Sequence, residues 1–363
     1  MTGRSMDQFL AAASPGDAVT TEALVIREAL RQTGPAEIYA EHVHADLLGE
    51  VRTLDARVEG DPGLNIYHAS IGCPAVVAAL TRSPAPLVVR YHNITPGEFF
   101  LPDHPEFADL LVQGRTELAQ LAGRAVRGLG DSQFNTDEMT AVGYTDSRVS
   151  PLVVDLEALL AIEPDPGTQH HLDVTYGDAP VVLVVGQVLP HKRVELAVEA
   201  LHLISTHHNP GVRGIIAGGS PLDDYRQAVH RFIVQLGLHT VWATGWVSDA
   251  QLAAFFQRAD VLLLTSQHEG FSVPILEAMA HGVPVVASDQ GAIADTAGDS
   301  ALILDSSALA ADFAEAVLEV LGNRPVRDAL VERGRRRVGD FAMERTLDTF
   351  IGQVADLAPR DLS

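Results

Sequence analysis

Six short apolar runs follow one another between Pro180 and Asp305, and longer segments with helical spacing of their apolar residues separate them. The runs are VVLVVG (181–186), GIIAGG (214–219), VWATGWV (241–247), DVLLLTS (260–266), VPVVAS (283–288) and ALILD (301–305). Runs of this kind, bounded by Gly, Pro, Ser or Asp, indicate buried strands. Their alternation with helices is typical of a parallel sheet covered on both faces, so this half is predicted to be a doubly wound α/β domain.

Two of the intervening helices have signals of their own. One follows the first run and places five apolar residues on a single face: Val194, Ala197, Val198, Leu201 and Ile204. The other begins with a capping box, because Ser248 stands three residues before Gln251, and we expect it to extend to Ala259.

The N-terminal half shows the same alternation less regularly. Its candidate strands are AEIYAEHV (36–43), NIYHAS (65–70), LVVRYHN (87–93) and VSPLVVD (149–155). At 363 residues the chain is also long for a single core. We therefore predict an α/β fold with two Rossmann-like, doubly wound parallel sheets. Ligands bind beyond the carboxyl ends of such strands, so facing sheets would line one cleft with their loops.

The segment 156–179 has the composition of a linker, rich in Pro, Gly and His. We predict the domain boundary within it, and the predicted parts of the chain are 1–160, 161–340 and a final helix over 341–358. The paired His170 and His171 fall in this linker. No further ligand cluster surrounds them, so they are interpreted as solvated rather than as a metal site.

Composition excludes several classes of protein. Hydrophobic residues make up 47% and charged residues 20%, with no run of 18 apolar residues, which predicts a soluble protein with at most peripheral membrane contact. The net charge of -23 argues against nucleic acid as a partner. The single cysteine, Cys73, excludes an intramolecular disulfide and a cysteine metal cluster. No apolar leader stands at the N-terminus, and we expect a cytoplasmic location.

Lys192 is the only lysine among 25 basic residues. Whatever bias replaced lysine with arginine elsewhere left this position unchanged. One interpretation is that position 192 needs a compact ammonium group, and the alternative is chance.

Two glutamates follow the fourth apolar run, in the stretch QHEGFSVPILEAM. Glu269 falls in the loop, and Glu277 falls seven intervening residues later in the first turns of a helix. Pro274 suits an early helical position, where its missing N–H is not needed, so the amides of residues 271–273 should be free to face an anion. Carboxylates accept hydrogen bonds from hydroxyl groups. The loop therefore predicts a site for a ligand that carries both a diphosphate and a sugar.

This stretch resembles the E-x7-E signature of retaining glycosyltransferases of the GT-B fold, in the large group often called family four. The flanking HGVPVVASDQGAIADTAG (281–298) is similar to the segment that comes after that signature in the family. The resemblance is strong across 180–300 and weaker before 150. It implies transfer of a hexosyl-type sugar from a nucleotide-sugar donor to a hydroxyl acceptor, which could be a glycan, polysaccharide, glycolipid or small molecule.

The resemblance also implies roles for the residues of the signature. Glu277 would hold the ribose hydroxyls, and Glu269 would contact the donor sugar and stabilise its positive charge in the transition state. Backbone contacts to the donor would come from Gly270, Phe271, Ser272 and Val273.

Two further segments resemble donor-binding elements of the family. GQVLPHKR resembles the G-R-x4-K phosphate clamp, which places Lys192 on the donor phosphates. Gln187 stands where the family usually has arginine, and Arg193 is a candidate to supply the missing charge. The GWVSD turn looks like the loop that contacts the nucleotide base, with the Val247 backbone as the expected contact.

Resemblances in the N-terminal half concern the sugar and the acceptor. RYHNITPGEFF (90–100) is similar to a strand-end histidine segment, which implies that His92 faces the transferred sugar; the alternative is a histidine satisfied by local backbone. SPGDAV resembles the first loop of the family, with the single glycine Gly16. Asp17 would repel phosphate there, so we expect this loop to meet the acceptor. The segment 341–350 is similar to the last helix of the family, which crosses back onto the first domain.

We expect no metal cofactor, because no D-x-D-like motif stands at a strand end. The resemblance implies retention of configuration by front-face attack. Two alternatives stay open. One is a nucleotide-sugar 2-epimerase, against which the E-x7-E spacing and the GQVLPHK loop argue. The other is a non-catalytic relative that binds nucleotide or glycan, which Gln187 keeps open. The sequence leaves the sugar, the base, the acceptor and the linkage open.

Overall fold

The computed structural model describes residues 5–57, 63–101 and 103–357. Two compact units make up the chain. The first consists of the chain up to Val154 and the stretch from Met343 onward, and the second is Asp155–Ala342.

The first unit is built on seven parallel strands: β1 (Met6–Ala13), β2 (Ile38–Val43), β3 (Arg52–Thr53), β4 (Leu64–Ala69), β5 (Leu87–Tyr91), β6 (Arg127–Gly130) and β7 (Ser147–Val149). Their order in the sheet is β3-β2-β1-β4-β5-β6-β7, and every pairing is parallel. Three of the four predicted strands correspond to β2, β4 and β5. The fourth, over 149–155, is wrong, because β7 ends at Val149.

The second unit contains a six-stranded parallel sheet: β8 (Val181–Val185), β9 (Arg213–Ala217), β10 (Val241–Gly245), β11 (Val261–Leu264), β12 (Val285–Ser288) and β13 (Ala301–Leu304). The order is β10-β9-β8-β11-β12-β13. All six predicted strands are confirmed. Val181, Val182 and Leu183 are completely buried, as expected for a central strand with helices on both faces.

The described residues form α-helices between and around the strands. They are α1 (Ala18–Arg31), α2 (Pro74–Arg82), α3 (Pro105–Ala122), α4 (Gln133–Ala141), α5 (Leu156–Leu160), α6 (Pro166–Tyr176), α7 (Val194–His207), α8 (Asp223–Gln235), α9 (Asp249–Arg258), α10 (Val273–Ala280), α11 (Ile293–Ala297), α12 (Ala310–Gly322), α13 (Arg324–Val338) and α14 (Met343–Val354). The apolar face predicted for α7 is buried throughout, and Ser248 and Gln251 form the capping box predicted for α9. No helix of the described chain has both the length and the apolar character needed to cross a bilayer.

The linker predicted over 156–179 is wrong. Helices α5 and α6 occupy this segment, and both belong to the second unit. Asp165 caps α6 by accepting from the Thr168 amide at 2.7 Å, and Pro166 lies in the first turn. The proline that suggested a linker therefore marks a helix start. The observed boundary, after Val154, lies six residues before the predicted one.

The last helix, α14, packs into the core of the first unit. Phe350 and Val354 are completely buried, in one cluster with Ile66 and Val88 of the sheet. Arg127 of β6 also binds this segment through an ion pair with Asp356 at 2.9 Å.

Candidate functional site

Lys192 and Glu269 form an ion pair beyond the carboxyl ends of the neighbouring strands β8 and β11. Lys192 Nζ donates to Glu269 Oε1 at 2.7 Å, and Ser266 Oγ donates to the same oxygen at 2.7 Å. The Glu269 side chain is 8% exposed and that of Lys192 is 24% exposed. The two residues are 77 positions apart, and they meet because parallel strands end at one edge of the sheet. Ser266 was not among the predicted site residues, although it ends the predicted strand 260–266.

Further contacts tie the loop after β8 to the loop after β11. Thr265 Oγ1 donates to the carbonyl oxygens of Lys192 at 3.2 Å and of Arg193 at 2.9 Å. One small cavity lies between the loops, and its polar lining includes Gln187, Lys192, Thr265 and Ser266. The structure thus brings together the clamp segment and the Glu269 loop.

A tight turn at Gly291 and Ala292 holds the main chain of Glu269 in place. The Ala292 amide donates to the Glu269 carbonyl at 2.8 Å. Gly291 has a φ of 58°, and a Cβ there would lie 2.3 Å from the same carbonyl oxygen. Glycine is therefore required for this close approach, and any larger residue would displace Glu269.

At the start of helix α10, several polar groups have no hydrogen-bond partner among the described residues of the free protein. Ser272 precedes the helix with a φ of 77°, and Pro274 lies in the first turn. Within the described chain, the amides of residues 271–273 have no hydrogen-bond acceptor, and the buried Ser272 Oγ has no partner. Three main-chain donors and a hydroxyl group are therefore available at a helix N-terminus, where the helix dipole favours an anion.

Glu277 lies apart from the ion pair, on α10 at a small pocket near the start of α9. Asp249, Leu252 and His281 line the same pocket. Burial, together with the charge of Asp249, raises the pKa of Glu277 to about 7. Asp249 ends the GWVSD turn, so the structure brings Glu277 to the segment that contains Val247.

The missing arginine of the clamp has no direct substitute in the free protein. Gln187 is exposed at the end of β8. Arg193, at a φ of 49°, forms no ion pair within the part of the chain that the structure describes. Lys192 is thus the cation that contacts Glu269.

Left-handed backbone at residues other than glycine coincides with the predicted segments. Among the described residues it occurs at Asn93 (φ 73°), Arg193 (φ 49°) and Ser272 (φ 77°). Each lies within a segment singled out in the sequence. Such conformations are strained and persist where the surrounding structure enforces them, often at functional sites.

Trp246 is a further residue that sequence reasoning missed. Its side chain is 69% exposed, although the indole ring packs on Gly219, where a Cβ would lie 2.2 Å from the ring. The neighbouring Gly218 approaches the Gly186 carbonyl so closely that a Cβ would lie 1.9 Å from that oxygen. The pair of glycines in GIIAGG was the signal for this close packing.

His92 in the first unit follows β5, and its ring is turned inward. The side chain is 3% exposed. One ring nitrogen lies 2.8 Å from His68 Nδ1, and the other lies 3.0 Å from Asp131 Oδ2. Both ring nitrogens therefore have side-chain partners, and the local backbone of the alternative interpretation is not among them.

The loop expected to meet the acceptor is exposed at the start of α1. Gly16 has a φ of 74°, and Asp17 is the N-cap residue. The Asp17 carboxylate accepts from the amide and the hydroxyl of Thr20, both at 2.8 Å. Its charge thus caps the helix.

Comparison with known proteins gives matches along most of the chain. The family model described as glycosyl transferases group 1 matches residues 172–337. The chain is 31% identical over 316 residues to a D-inositol 3-phosphate glycosyltransferase of Geodermatophilus obscurus, covering 82% of this chain and 68% of that protein. It is 30% identical over 187 residues to the lipopolysaccharide core biosynthesis glycosyltransferase LpsE of Rhizobium meliloti, covering 50% of this chain and spanning only about half, 51%, of that relative.

Solved structures show the same fold. The structure of HepE from Anabaena in complex with UDP and glucose superposes with a TM-score of 0.72 at 19% identity, covering 97% of this chain and 98% of that chain. The predicted fold, two Rossmann-like domains of the GT-B type, is confirmed.

Proposed function

Since this chain belongs to the glycosyl transferases group 1 family, we propose that it is a retaining glycosyltransferase that moves a hexosyl-type sugar from a nucleotide diphosphate donor to a hydroxyl acceptor. The observation that carries the proposal is the ion pair of Lys192 and Glu269 beside the unpartnered amides of residues 271–273. When the bond between sugar and diphosphate breaks, it leaves a cationic sugar and an anionic leaving group. A site with a fixed cation, a fixed anion and free amides supports both charges.

Lys192 and the start of α10 serve the leaving group in this proposal. The ammonium group and the three amides supply four donor groups, and Ser272 adds a buried hydroxyl group. Phosphate binds well at helix N-termini because the amides and the helix dipole both favour negative charge. Main-chain contacts from Gly270 to Val273 then hold the diphosphate.

Glu269 serves the sugar. In the free protein Lys192 balances its charge at 2.7 Å. A bound diphosphate competes for the ammonium group, while Ser266 keeps its hydrogen bond to Glu269 Oε1. The carboxylate is then held in place, partly released from its counterion, where positive charge develops on the sugar.

Glu277 and the GWVSD turn serve the nucleoside. The Glu277 carboxylate accepts from the ribose hydroxyls, and the Val247 backbone contacts the base. A half-buried carboxylate without a hydrogen-bond partner gains two charge-assisted hydrogen bonds when a diol binds. The neighbour HepE was solved with UDP, which supports a nucleotide ligand for this fold.

No side-chain base is needed when attack occurs on the front face. The acceptor oxygen approaches from the side of the leaving phosphate, whose oxygen takes the acceptor's proton. His92 contributes its main chain, since both ring nitrogens are occupied. The loop of Gly16 and Asp17 meets the acceptor.

We propose that the reaction needs no divalent ion, because Lys192 and the α10 amides meet the charge of the leaving group. Arg193 swings toward the phosphate in place of an arginine at Gln187.

The test is release of free nucleoside diphosphate from UDP-, GDP- and ADP-sugars in the presence of candidate acceptors, with identification of the anomeric configuration of the product. We expect release with one donor class, with retained configuration, and at the same rate in EDTA. If EDTA abolishes activity and magnesium or manganese restores it, the proposed metal independence is wrong, but the proposed glycosyl transfer still holds. Nucleotide binding without transfer to any acceptor would favour the non-catalytic alternative, and a 2-epimerised sugar would favour the epimerase.

A further inference from the structure

Six polar side chains are buried together in the first unit, away from the donor residues. They are Gln8 of β1, Glu22 of α1, His68 of β4, Arg90 of β5, and His92 and Asp131 from the loops after β5 and β6. None of these side chains is more than 3% exposed, and those of Gln8, Glu22, His68 and Arg90 are completely buried. Buried polar groups need consistent hydrogen bonds, so the directions of the bonds determine which groups carry protons.

The direction of the hydrogen bonds in this cluster is fixed at Gln8. Its Nε2 donates to the Ala23 carbonyl at 2.9 Å, which can only accept. Gln8 Oε1 therefore faces His68 Nε2, at 2.8 Å, and accepts from it. His68 is fully buried, and burial, together with neighbouring His92, holds its pKa well below the usual value. A neutral His68 with a proton on Nε2 has a lone pair on Nδ1.

That lone pair determines the state of His92. His92 Nε2 lies 2.8 Å from His68 Nδ1 and must donate to it. His92 Nδ1 lies 3.0 Å from the carboxylate of Asp131, which accepts. Both nitrogens of His92 then carry protons, and the ring is an imidazolium.

We propose that His68 is a positioning residue that acts through His92: the two imidazoles share one proton, which keeps the His92 ring charged and fixes the end of β5. This inference rests on the proposed function, in which the main chain at the end of β5 contacts the transferred sugar.

The charges of the cluster balance only with this proton. Arg90 Nη2 donates to Glu22 Oε1 at 2.6 Å and lies 3.0 Å from Asp131 Oδ1, in an ion-pair contact without hydrogen-bond alignment. Two carboxylates thus face one guanidinium, and the His92 imidazolium supplies the second positive charge. Glu22 Oε2 lies 3.5 Å from His92 Nε2 and 3.8 Å from His68 Nδ1, beside the shared proton.

The pKa of His92 agrees with this balance. Burial disfavours its charged form, but Asp131 and Glu22 outweigh burial and the repulsion from Arg90, so the pKa is raised above the usual value.

A metal ion is the competing explanation, since Glu22, His68 and His92 each offer a ligand atom within 4.8 Å of the others. The two rings are nearly coplanar, at 5°, with centroids 5.1 Å apart. Their facing nitrogens are 2.8 Å apart, so the lone pairs point at each other along one line. A zinc ion on that line would need about 4 Å between the nitrogens, at roughly 2.0 Å per bond. The geometry fits a proton.

The consequence for the reaction is a rigid strand end. His92 is held at both ring nitrogens, and the next residue, Asn93, takes a φ of 73°. The Asn93 side chain donates to Asn135 at 2.9 Å and to Glu138 at 3.0 Å. A turn fixed on both sides presents its main chain in one position, and the His92 ring has no lone pair with which to act as a base.

The direct test is NMR of the protein labelled with ¹⁵N-histidine, with the signals assigned by comparison with His68→Gln and His92→Gln. We expect both ring nitrogens of His92 to be protonated at pH 7.5 and His68 to keep one unprotonated nitrogen. A neutral His92, or bound zinc in the purified protein by elemental analysis, overturns the proposal.

Two substitutions of Gln8 separate positioning from simple structural damage. Both Gln8→Met and Gln8→Glu lose the hydrogen bond to Ala23, but only Gln8→Met removes the acceptor for His68 Nε2. We expect His92 to lose its proton at lower pH in Gln8→Met, with kcat reduced roughly tenfold and nucleoside diphosphate affinity unchanged, whereas Gln8→Glu keeps the imidazolium and the turnover. Equal losses of turnover in both variants contradict the proposal.

The NMR measurement uses the free protein and so does not depend on transfer activity. A charged His92 without any glycosyl transfer would mean that the proposed function fails while the proton assignment holds. Glycosyl transfer by a protein with a neutral His92 would mean that the proposed function holds and the proton assignment fails.

Discussion

The two units differ in how their strand-end polar groups are satisfied. In the first unit, the groups at the ends of β4 and β5 have partners within the unit: His68 bonds His92, His92 bonds Asp131, and Arg90 bonds Glu22. In the second, the α10 amides, Ser272 Oγ and the Glu277 carboxylate have no hydrogen-bond partner among the described residues. Groups satisfied in the free protein stabilise a conformation, and groups left unsatisfied gain most when a ligand arrives. We therefore expect damage to the first set to appear in stability and damage to the second in binding and rate.

The largest effect is expected from Arg90→Met. The substitution leaves the buried carboxylates of Glu22 and Asp131 without their guanidinium, which should lower the free energy of unfolding by about 3 to 5 kcal/mol. Urea denaturation followed by circular dichroism measures this. The matched control is Arg336→Met on α13, whose partner is Glu332 and whose side chain is 65% exposed. We expect that change to stay within about 0.5 kcal/mol, and equal losses in the two variants would contradict the comparison.

Glu269→Gln should lower the rate of sugar transfer. It keeps the shape and a hydrogen bond to Ser266, but it removes the charge that stabilises the cationic sugar. We expect kcat to fall roughly 10²- to 10³-fold. Nucleoside diphosphate affinity should be unchanged or tighter, because Lys192 loses its competing partner. Steady-state rates and isothermal titration calorimetry on the same preparation measure both quantities.

The control for this variant is Glu199→Gln, an exposed carboxylate on the outer face of α7. It should leave both quantities unchanged. If Glu269→Gln abolishes diphosphate binding while turnover with saturating donor persists, the role assigned to Glu269 is wrong.

The pH dependence of nucleotide binding should report on Glu277. Ribose hydroxyls donate to the carboxylate, so binding requires the deprotonated form and releases a proton. With a pKa of about 7, affinity should fall about tenfold between pH 8 and pH 6 and stay level at higher pH. Titration calorimetry in buffers of different ionisation enthalpy measures both the affinity and the proton release.

The diphosphate itself also titrates, so the same series on Glu277→Gln is the necessary control. Its affinity at pH 8 should be lower, and the part of the pH dependence that belongs to the protein should vanish. An identical pH profile in both proteins would show that Glu277 does not hold the ligand.

Gln187→Arg should give the smallest effect. It restores the charge that the family usually has at this exposed position, and we expect tighter diphosphate binding by roughly 0.5 to 1 kcal/mol. Fluorescence titration with the nucleoside diphosphate is sufficient to detect this. Weaker binding would mean that Arg193 already occupies the space, and Arg193→Met would then lower the diphosphate affinity.

The second sheet could be predicted from the sequence because its strands are continuous apolar runs. The first sheet could not be predicted fully, because polar residues interrupt its strands. Strand β1 carries Asp7 and Gln8, and β6 reads RGLG, which looks like a loop. Arg127 of β6 is satisfied by Asp146 and by Asp356, which is 229 residues away. A sequence pattern does not show partners at such distances, so it does not predict these polar strands.

The candidate site could also be predicted only in part. The Lys192 and Glu269 segments stand out by composition and by resemblance, and the structure brings them together. Of the cluster around His68, the sequence singled out His92 alone, because the members come from separate elements that only the folded sheet unites. Membership of family four, retention of configuration and a cytoplasmic location stay predictions.

The contribution of α14 to the first unit has a consequence for synthesis on the ribosome. The first unit needs Phe350 and Val354 to fill its core, and these residues are translated only after the whole of the second unit. The second unit, encoded in the middle, has all of its residues earlier. The stretch that ends at Val154 must therefore wait, with part of its apolar surface uncovered, until the second unit and α14 have been translated, and a ribosome stalled before α14 would display a finished second unit and an unfinished first.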